Sequence, residues 1–377
     1  MQKEKIIQEL EELKNDNRFR VIKTNDKSLY NFSSNDYLGL AHDKDLLQKF
    51  YQNYSFDNYK LSSSSSRLID GSYLTVMRLE KKVEEIYGKP CLVFNSGFDA
   101  NSSVIETFFD KKSLIITDRL NHASIYEGCI NSRAKILRYN HLDVSALEKL
   151  LKKYSKDYDD ILVVTETVYS MDGDCTEIKK ICDLKDEYKF NLMVDEAHSY
   201  GVYGYGIAYN EKLVDKIDFL VIPLGKAGAS VGAYVICDEV YKNYLINKSK
   251  KFIYSTALPP VNNLWNLFVL ENMINFKVKI EKFQELITFS LNTLKKLNLK
   301  TKSTSHIISI IIGDNLNTVN LSNNLKELGY LAYAIKEPTV PKDTARLRIS
   351  LTADMKKEDI ETFFKTLKAE MKKIGVI

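Results

Sequence analysis

The sequence contains few cysteines, and their spacing is not that of a metal site or a disulfide framework. There are five cysteines, an odd number, and no Cys-x-x-Cys motif. We therefore expect neither a set of structural disulfides nor a zinc site, and we predict no metal. Reduced thiols are typical of cytoplasmic proteins, so we expect a cytoplasmic location.

The sequence also lacks long apolar runs and a dominant charge. No run of about 18 apolar residues could span a membrane, and no apolar run follows the charged N-terminal residues, so we expect no signal peptide. The net charge of +4 is small beside 54 basic and 50 acidic residues. This balance gives no reason to expect nucleic acid or an acidic membrane as a partner. The 377 residues are enough for about two or three domains.

The most informative stretch places one lysine between two apolar runs. Residues 219–224 and 233–236 predict buried strands, and Lys226 lies in the glycine-rich segment between them. Burial favours the neutral amine of a lysine, and a neutral amine can form a Schiff base with a carbonyl. Taken alone, the pattern also fits a surface lysine on a glycine-rich turn.

An acid upstream favours the first of these interpretations. Asp195 ends another apolar run, and a carboxylate at the C-terminal end of a parallel strand can face the ligand crevice of an α/β sheet. Pyridoxal phosphate (PLP) needs a lysine for its aldehyde and an acid that keeps its pyridine nitrogen protonated. Lys226 and Asp195 could supply both groups.

With these residues the sequence resembles the α-oxoamine synthase family, whose members are PLP enzymes of the aminotransferase-like fold. The resemblance runs from about residue 31 to about residue 353. The motifs that carry it are NFSSNDYLGL (31–40), SGFDAN (96–101), DRLNHAS (118–124), SMDGD (170–174), DEAH (195–198), YSTALPP (254–260), PTVP (338–341) and TARLRISL (344–351). It implies an α/β fold of type I, with a large, mostly parallel-sheet domain and a smaller α+β C-terminal domain.

Strand and helix patterns suggest where the domains begin. Apolar residues at helical spacing predict an N-terminal helical arm over residues 1–30. Alternating strands and helices, typical of a doubly wound parallel sheet, predict a large PLP-binding domain over residues 31–265. Longer helical patterns follow, and we expect a small C-terminal domain over residues 266–377.

The resemblance assigns three residues to the chemistry of the cofactor. Lys226 would hold PLP as a Schiff base and remove the α-proton of the substrate, Asp195 would partner the pyridine nitrogen, and His122 would lie flat on the ring. A single histidine is otherwise more often structural. The further cofactor contacts that it implies are Gly97 and Phe98 at the phosphate, Ser170 and His198 at the ring hydroxyl, and Thr256 at the phosphate of a neighbouring subunit. The last contact implies a homodimer.

The resemblance also assigns residues to the substrate. It places Asn35 near the substrate and Thr339 in contact with it, and it gives Arg348 the carboxylate of the amino acid, bound through two parallel hydrogen bonds. Arg346 lies on the same face of the predicted strand, so the period of two cannot choose between the arginines. Arg20, or Arg18 nearby, is a candidate partner for a distal carboxylate.

Two segments depart from the family pattern. Pro223 stands where relatives commonly have threonine or serine, whose hydroxyl binds the phosphate. Proline has neither that hydroxyl nor an N–H, so phosphate binding should lose about 1 kcal/mol. Serines 62–66 replace the glycines that are usual in a small-residue loop. We interpret this serine run as an active-site loop, although a low-complexity linker has the same composition.

The residues of the DEAH, YSTALPP and PTVP motifs resemble one branch of the family in particular. The resemblance favours the activity of that branch, which condenses L-alanine with a pimeloyl thioester, delivered by CoA or by a carrier protein, in biotin biosynthesis. The alternative is a sister activity such as glycine with acetyl-CoA. A remote alternative is a non-catalytic subunit of the same fold, which should lack the lysine or the acid. The DEAH motif is not that of a helicase, because no phosphate loop ending in Gly-Lys-Ser/Thr precedes it.

Overall fold

The chain divides into two compact units. The structure is a computed structural model that describes residues 2–22, 24, 28–55 and 59–377. The small unit comprises Met1–Tyr37, Ser170–Asp174 and Glu281–Ile377, and the large unit comprises Leu38–Tyr169 and Cys175–Ile280. The division into three domains at residues 30/31 and 265/266 stays a prediction.

Strands and helices alternate through most of the large unit. The strands of the chain are β1 (Tyr30–Asn31), β2 (Cys91–Phe94), β3 (Leu114–Asp118), β4 (Lys135–Tyr139), β5 (Ile161–Glu166), β6 (Asn191–Asp195), β7 (Phe219–Pro223), β8 (Ala233–Ile236), β9 (Ile307–Gly313), β10 (Tyr330–Leu331), β11 (Tyr333–Ile335) and β12 (Ala345–Ser350). The α-helices are α1 (Gln2–Asn15), α2 (Lys44–Asn53), α3 (Leu74–Tyr87), α4 (Gly97–Phe108), α5 (Ala123–Ser132), α6 (Val144–Tyr154), α7 (Ile178–Asp183), α8 (Ile207–Asn210), α9 (Glu239–Lys248), α10 (Lys250–Ile253), α11 (Pro260–Asn272), α12 (Lys277–Lys296), α13 (Asn315–Glu327) and α14 (Lys357–Lys373).

The large unit is built on one mostly parallel sheet. Within the described residues, seven strands pair in the order β2-β8-β7-β6-β5-β3-β4. Strand β8 is antiparallel to its neighbours, β7 and β2, and the other pairs of described strands in this sheet are parallel. Strands β5 and β7 are buried along their whole length, as is typical of strands with helices on both faces. The predicted α/β fold with a mostly parallel sheet is confirmed.

The carboxyl ends of the central strands define the edge of the sheet at which a ligand can bind. In the register of the sheet, Glu166 of β5 pairs with Asp195 of β6, and Asp195 pairs with Val221 of β7. Parallel strands end at the same edge, and open α/β sheets bind ligands there. The segment after Pro223, which contains Lys226, begins at this edge.

The small unit combines short sheets with long helices. A three-stranded antiparallel sheet has the order β11-β12-β9, and β1 pairs in parallel with β10. Phe32, next to β1, stacks on Phe363 of α14 with ring centroids 3.9 Å apart. Gly173 has a φ of 72°, and a Cβ on it would lie 1.7 Å from the carbonyl oxygen of Ile307, so only glycine fits this position. These elements make up the α+β arrangement that the sequence predicts.

The helix predicted near the N-terminus is α1, and none of its residues is buried. Its apolar residues Ile6, Ile7 and Leu10 are 41–47% exposed. In the part of the chain that the structure describes, we find no helix with the length and hydropathy of a membrane span.

Candidate active site

The predicted site residues fall into two groups, one in each unit. The large unit contains Gly97, Phe98, His122, Asp195, His198, Lys226 and Thr256, and the small unit contains Arg20, Asn35, Ser170, Thr339 and Arg348. Ser170 is the one residue assigned to the cofactor that belongs to the small unit.

Lys226 lies in the tight connection between β7 and β8. A hydrogen bond from the N–H of Leu224 to the carbonyl of Gly232 (3.0 Å) closes the base of this connection. The loop that follows β6 packs against it so closely that a Cβ on Gly201 would lie 2.4 Å from the Cβ of Ala227. The lysine is half-buried, and the bonds at the base of the loop hold its backbone in place.

Asp195 is buried at the C-terminal end of β6, with 3% of its surface exposed. Its Oδ1 accepts the N–H of Ala197 (2.7 Å), and its Oδ2 accepts the amide Nδ2–H of Asn101 (2.6 Å). His198 is buried in the turn that follows. Two N–H donors therefore fix the orientation of the Asp195 carboxylate.

His122 precedes α5 and is fixed at its backbone and at its ring. Its N–H donates to the carboxylate of Glu166 (2.6 Å), and its Nδ1 accepts the N–H of Ser124 (3.2 Å). The side chain nevertheless stays exposed. Desolvation by the surrounding protein lowers the pKa of His122, the charge of Asp195 opposes that shift, and the charge of Lys226 adds to it. Asp195 and Lys226 therefore lie within electrostatic range of His122.

Glu166 is a buried acid of this site that sequence reasoning missed. It ends β5 as Asp195 ends β6, and the two residues are partners in the sheet register. Burial and the charge of Asp195 raise the pKa of Glu166 well above its usual range. Residues 161–166 have a similar pattern, an apolar run followed after Thr165 by an acid, and this pattern could have found Glu166.

The start of α4 has the form of a phosphate site. Among the described residues, the N–H groups of Gly97 and Phe98 have no hydrogen-bond acceptor, whereas the third N–H of the helix donates to the Ser96 hydroxyl. Helix starts with unused N–H groups bind phosphate. A Cβ on Gly97 would lie 2.7 Å from the side chain of Pro223, so the narrow space at this helix start requires a glycine.

Thr256 lies beside the same helix start and next to the serine run. Its carbonyl accepts the amide N–H of Asn95 (2.7 Å), and it forms an isolated β-bridge with Ser66. The hydroxyl of Ser63 donates to the carbonyl of Leu258 (2.6 Å). The serine run is thus bonded to the YSTALPP segment, which does not fit a linker between domains.

The residues of the large unit fit PLP. Lys226 provides an amine, Asp195 a buried and oriented carboxylate, and His122 an exposed imidazole close to both. Gly97 and Phe98 provide unused N–H groups in a space that a side chain at position 97 would fill. Amine, acid and phosphate cradle are the groups that this cofactor requires.

Replacing Pro223 with threonine should tighten PLP binding. The side chain of Pro223 contacts Gly97 at the helix start, so a hydroxyl there can reach the phosphate. We expect the dissociation constant for PLP, measured by absorbance titration, to fall about fivefold for Pro223→Thr, as one added hydrogen bond predicts. Pro223→Val has the shape of threonine without its hydroxyl and is the control. Equal affinities of the two variants would show that the hydroxyl does not reach the phosphate.

The structure distinguishes the two arginines of β12, which the sequence pattern leaves equivalent. Arg346 is paired with the carboxylate of Asp172 (2.5 Å). Arg348, which is 8% exposed, donates to the carbonyl of Ser170 (2.6 Å) and to the Asn35 side chain (3.1 Å). No carboxylate of the described residues forms an ion pair with Arg348. Its buried positive charge therefore has no carboxylate counter-ion in the part of the chain that the structure describes.

Tyr37 contacts Asn35 and Arg348 in the small unit, and sequence reasoning missed it. Its hydroxyl donates to the Asn35 side chain (3.1 Å) and lies 3.5 Å from Nη2 of Arg348. It is fully buried, and its ring packs edge-on against His306 at 4.1 Å. Tyr37 thus helps to hold Asn35 and Arg348 in place. Its position two residues after Asn35 in the NFSSNDYLGL motif was the available signal.

Arg20 and Thr339 meet in a separate cleft of the small unit. Nη2 of Arg20 donates to the hydroxyl of Thr339 at 2.9 Å. The cleft has a volume of about 590 Å³, and Lys326 and Lys336 also line it, with Glu337 as its acid. The cleft is therefore positively charged, and its apolar lining comes chiefly from Phe19, Val21, Val319, Leu331, Tyr333 and Ile335.

Comparisons with known proteins agree with the fold and with PLP as the cofactor. The family model described as aminotransferase class I and II matches residues 27–367. A protein of Pasteurella multocida (strain Pm70) with the provisional name 8-amino-7-oxononanoate synthase is 39% identical over 376 residues, which cover 96% of this chain and 97% of that protein.

Two solved structures are similar over nearly the whole chain. The 8-amino-7-oxononanoate synthase of Francisella tularensis has a TM-score of 0.79 at 29% identity and covers 93% of this chain and 99% of its own. A variant serine palmitoyltransferase from S. paucimobilis with bound PLP–myriocin has a TM-score of 0.89 at 25% identity and covers 99% and 98%. The chain belongs to the aminotransferase class I and II family of PLP enzymes and, within it, to the α-oxoamine synthases.

Proposed function

We propose that the protein condenses L-alanine with a pimeloyl thioester in biotin biosynthesis, giving 8-amino-7-oxononanoate, CO2 and the carrier, either CoA or a carrier protein. The observation that carries this proposal is the buried charge of Arg348, which has no carboxylate partner among the described residues. The large unit of the same chain supplies the lysine and the acid of a PLP site. The names of the relatives support the choice of acyl donor.

In this proposal, three residues of the large unit control the reacting carbon and the cofactor. Bound PLP supplies an electron sink for the α-carbon of the amino acid. Nζ of Lys226 anchors the cofactor, accepts the α-proton and later returns a proton to the product. Asp195 would hold the pyridine nitrogen of the cofactor and favour its protonated form. His122 would hold the cofactor ring from its exposed imidazole.

Arg348 binds the carboxylate of the amino acid. The guanidinium is held at its place by the carbonyl of Ser170 and by the side chains of Asn35 and Tyr37. A substrate carboxylate supplies the missing counter-ion and gains charge-assisted hydrogen bonds. When this carboxylate leaves as CO2, the charge that Arg348 recognises is lost, which favours product release.

The charged cleft of the small unit binds the far end of the acyl chain. A pimeloyl chain ends in a carboxylate, whereas acetyl and palmitoyl chains do not. Arg20, held by Thr339, and the nearby Lys326 provide positive charge for such a carboxylate. The apolar lining of the cleft suits the methylene groups.

We further propose that the enzyme is a homodimer in the cytoplasm. Leu61, Ile69, Leu74 and Tyr254 of the large unit are 77–84% exposed, and a partner subunit that covers them would remove this apolar surface from water. Tyr254 is close in sequence to Thr256, the residue assigned to the phosphate of the other subunit. The five cysteines, all within the described residues, form no disulfide, which suits a reducing compartment.

The substrates are tested by direct product analysis. The purified protein is loaded with PLP and offered L-alanine, glycine or L-serine, each with pimeloyl-CoA, acetyl-CoA or palmitoyl-CoA, and the products are identified by mass spectrometry. We expect 8-amino-7-oxononanoate from L-alanine and pimeloyl-CoA, with kcat/KM at least about tenfold above every other pair.

Two other outcomes would replace the proposal. Preference for glycine and acetyl-CoA would make the protein a 2-amino-3-oxobutyrate-forming sister enzyme, and preference for L-serine and palmitoyl-CoA would align it with the serine palmitoyltransferases. As a check on the acyl site, Arg20→Ala should raise KM for pimeloyl-CoA and leave KM for L-alanine unchanged.

A further inference from the structure

A chain of buried polar side chains connects Asp195 with His122 inside the large unit. The amide Nδ2 of Asn101 donates to Oδ2 of Asp195 (2.6 Å) and to the hydroxyl of Ser124 (3.0 Å). The Ser124 hydroxyl lies 2.8 Å from Nδ1 of His122. Asn101 and Ser124 are 1% and 0% exposed. Asn101 and Ser124 were described above only as separate donors to Asp195 and to His122, and the bond between them joins the two contacts into one series.

The direction of each hydrogen bond in this chain follows from the chemistry of the groups. A carboxylate only accepts, so Asn101 must turn its Nδ2, and not its carbonyl, toward Asp195. The two hydrogens of Nδ2 are then used by Asp195 and by Ser124. Because the Ser124 hydroxyl accepts from Asn101, its own hydrogen is available for Nδ1 of His122.

The ring of His122 consequently has one allowed tautomer. Its Nδ1 accepts from the Ser124 hydroxyl and also from the Ser124 N–H (3.2 Å). A nitrogen that accepts two hydrogen bonds carries no proton, so the neutral ring carries its proton on Nε2. Protonation at Nδ1 would require the Ser124 hydroxyl to rotate away and would place a ring N–H against the Ser124 N–H.

The series of hydrogen-bonded side chains from Asp195 to His122 leaves one buried polar atom without a partner among the described residues. The carbonyl Oδ1 of Asn101 is buried and has no hydrogen-bond partner among the described residues. A buried polar atom without a partner is unfavourable, and an apolar side chain would pack here without that cost. An asparagine at this position is explained if its two N–H groups have a task.

We propose that Asn101 and Ser124 are positioning residues that orient Asp195 and hold His122 neutral, in the tautomer with its proton on Nε2. The inference rests on the PLP site proposed above. The titratable groups around His122 are Asp195 on β6, Lys226 after β7 and Glu166 on β5, whose carboxyl oxygen accepts the His122 N–H. Desolvation and Lys226 lower the pKa of His122, in the same direction as the two donors at Nδ1.

The test follows the titration of His122 directly in the full-length protein. Histidine is labelled with ¹³C at Cε1, and the His122 signal is assigned by its loss in His122→Asn and titrated by NMR with and without PLP. In the wild-type protein we expect the titration midpoint of His122 to lie below that of an ordinary histidine side chain, the direction in which desolvation and Lys226 shift its pKa. Ser124→Ala should raise its midpoint by about one pH unit, the equivalent of one hydrogen bond.

A matched control and a rescue variant separate this effect from a general structural one. Ser132→Ala removes another buried hydroxyl of the same helix, which donates to the Cys129 carbonyl, and should leave the midpoint unchanged. Ser124→Thr keeps the hydroxyl and should restore it. If the alanine variant does not fold, Ser124→Cys takes its place, because a thiol is only a weak donor.

The role of Asn101 has its own measurement. Asn101→Ala should weaken PLP binding about tenfold by absorbance titration, because Asp195 loses a donor that orients it, and should raise the His122 midpoint less than Ser124→Ala does. The inference is overturned if Ser124→Ala and Ser132→Ala titrate alike, or if wild-type His122 titrates at or above about pH 6.5. The titration without PLP gives this answer even if the proposed reaction is not observed.

Discussion

Lys226→Ala is expected to lower turnover by about 10⁴-fold or more, the largest effect of any single substitution in the chain. The reason is that one nitrogen has two tasks in the proposed reaction, since it anchors the cofactor and transfers the α-proton. The measurement is the release of thiol from pimeloyl-CoA in the presence of L-alanine. The absorbance band of the bound cofactor, at about 420 nm, should disappear in the same variant.

Lys248→Ala is the matched control for this substitution. Lys248 is an exposed lysine at the end of α9 in the same unit, and its loss should change neither turnover nor the absorbance band. Turnover within tenfold of wild type in Lys226→Ala would show that another residue transfers the proton, and it would remove the basis for the proposed mechanism.

Arg348→Ala is expected to have the second largest effect, an increase of about 100-fold in KM for L-alanine. Charge-assisted hydrogen bonds of the kind that Arg348 would make to a carboxylate are worth about 1.5–3 kcal/mol. Because this loss concerns binding of the amino acid, KM for the thioester should change little. Initial rates as a function of L-alanine concentration provide the measurement.

Arg346→Ala provides the comparison, since the two arginines share a strand and differ in their partners. Arg346 is bonded to Asp172, and removal of one member of a buried ion pair costs about 3–5 kcal/mol of stability. We expect a lower melting temperature for Arg346→Ala and a nearly normal KM for L-alanine in the folded protein. The reverse pattern would assign the substrate carboxylate to Arg346.

Local sequence patterns predict the elements of this fold well. The apolar runs near Lys226 and Asp195 become β7, β8 and β6 within one or two residues. Asp195 and the segment that contains Lys226 lie at the same edge of the sheet, because β6 and β7 are neighbouring parallel strands. The alternation of strands and helices predicts a parallel sheet, but it does not predict the order of the strands, in which β3 lies between β5 and β4.

Contacts between distant segments are less accessible to the same reasoning. Arg346 and Arg348 are equivalent in any pattern with a period of two, and they differ only because Asp172, 174 positions away, reaches one of them. Asn101 is an ordinary helix residue in sequence, and its bond to Asp195 spans 94 positions. Such partners depend on tertiary packing, which periodicity and local motifs do not describe.

The small unit is assembled from three separate segments of the chain, and this limits how the protein can be divided into fragments. A fragment of residues 281–377 would contain both arginines of β12 but neither the Ser170–Asp174 segment that bonds them nor Asn35 and Tyr37. Recombination that exchanges this fragment as one continuous gene segment would therefore separate the carboxylate-binding arginine from the residues that orient it. A chimera designed to transfer substrate preference therefore has to exchange three segments at the same time, residues 1–37, 170–174 and 281–377.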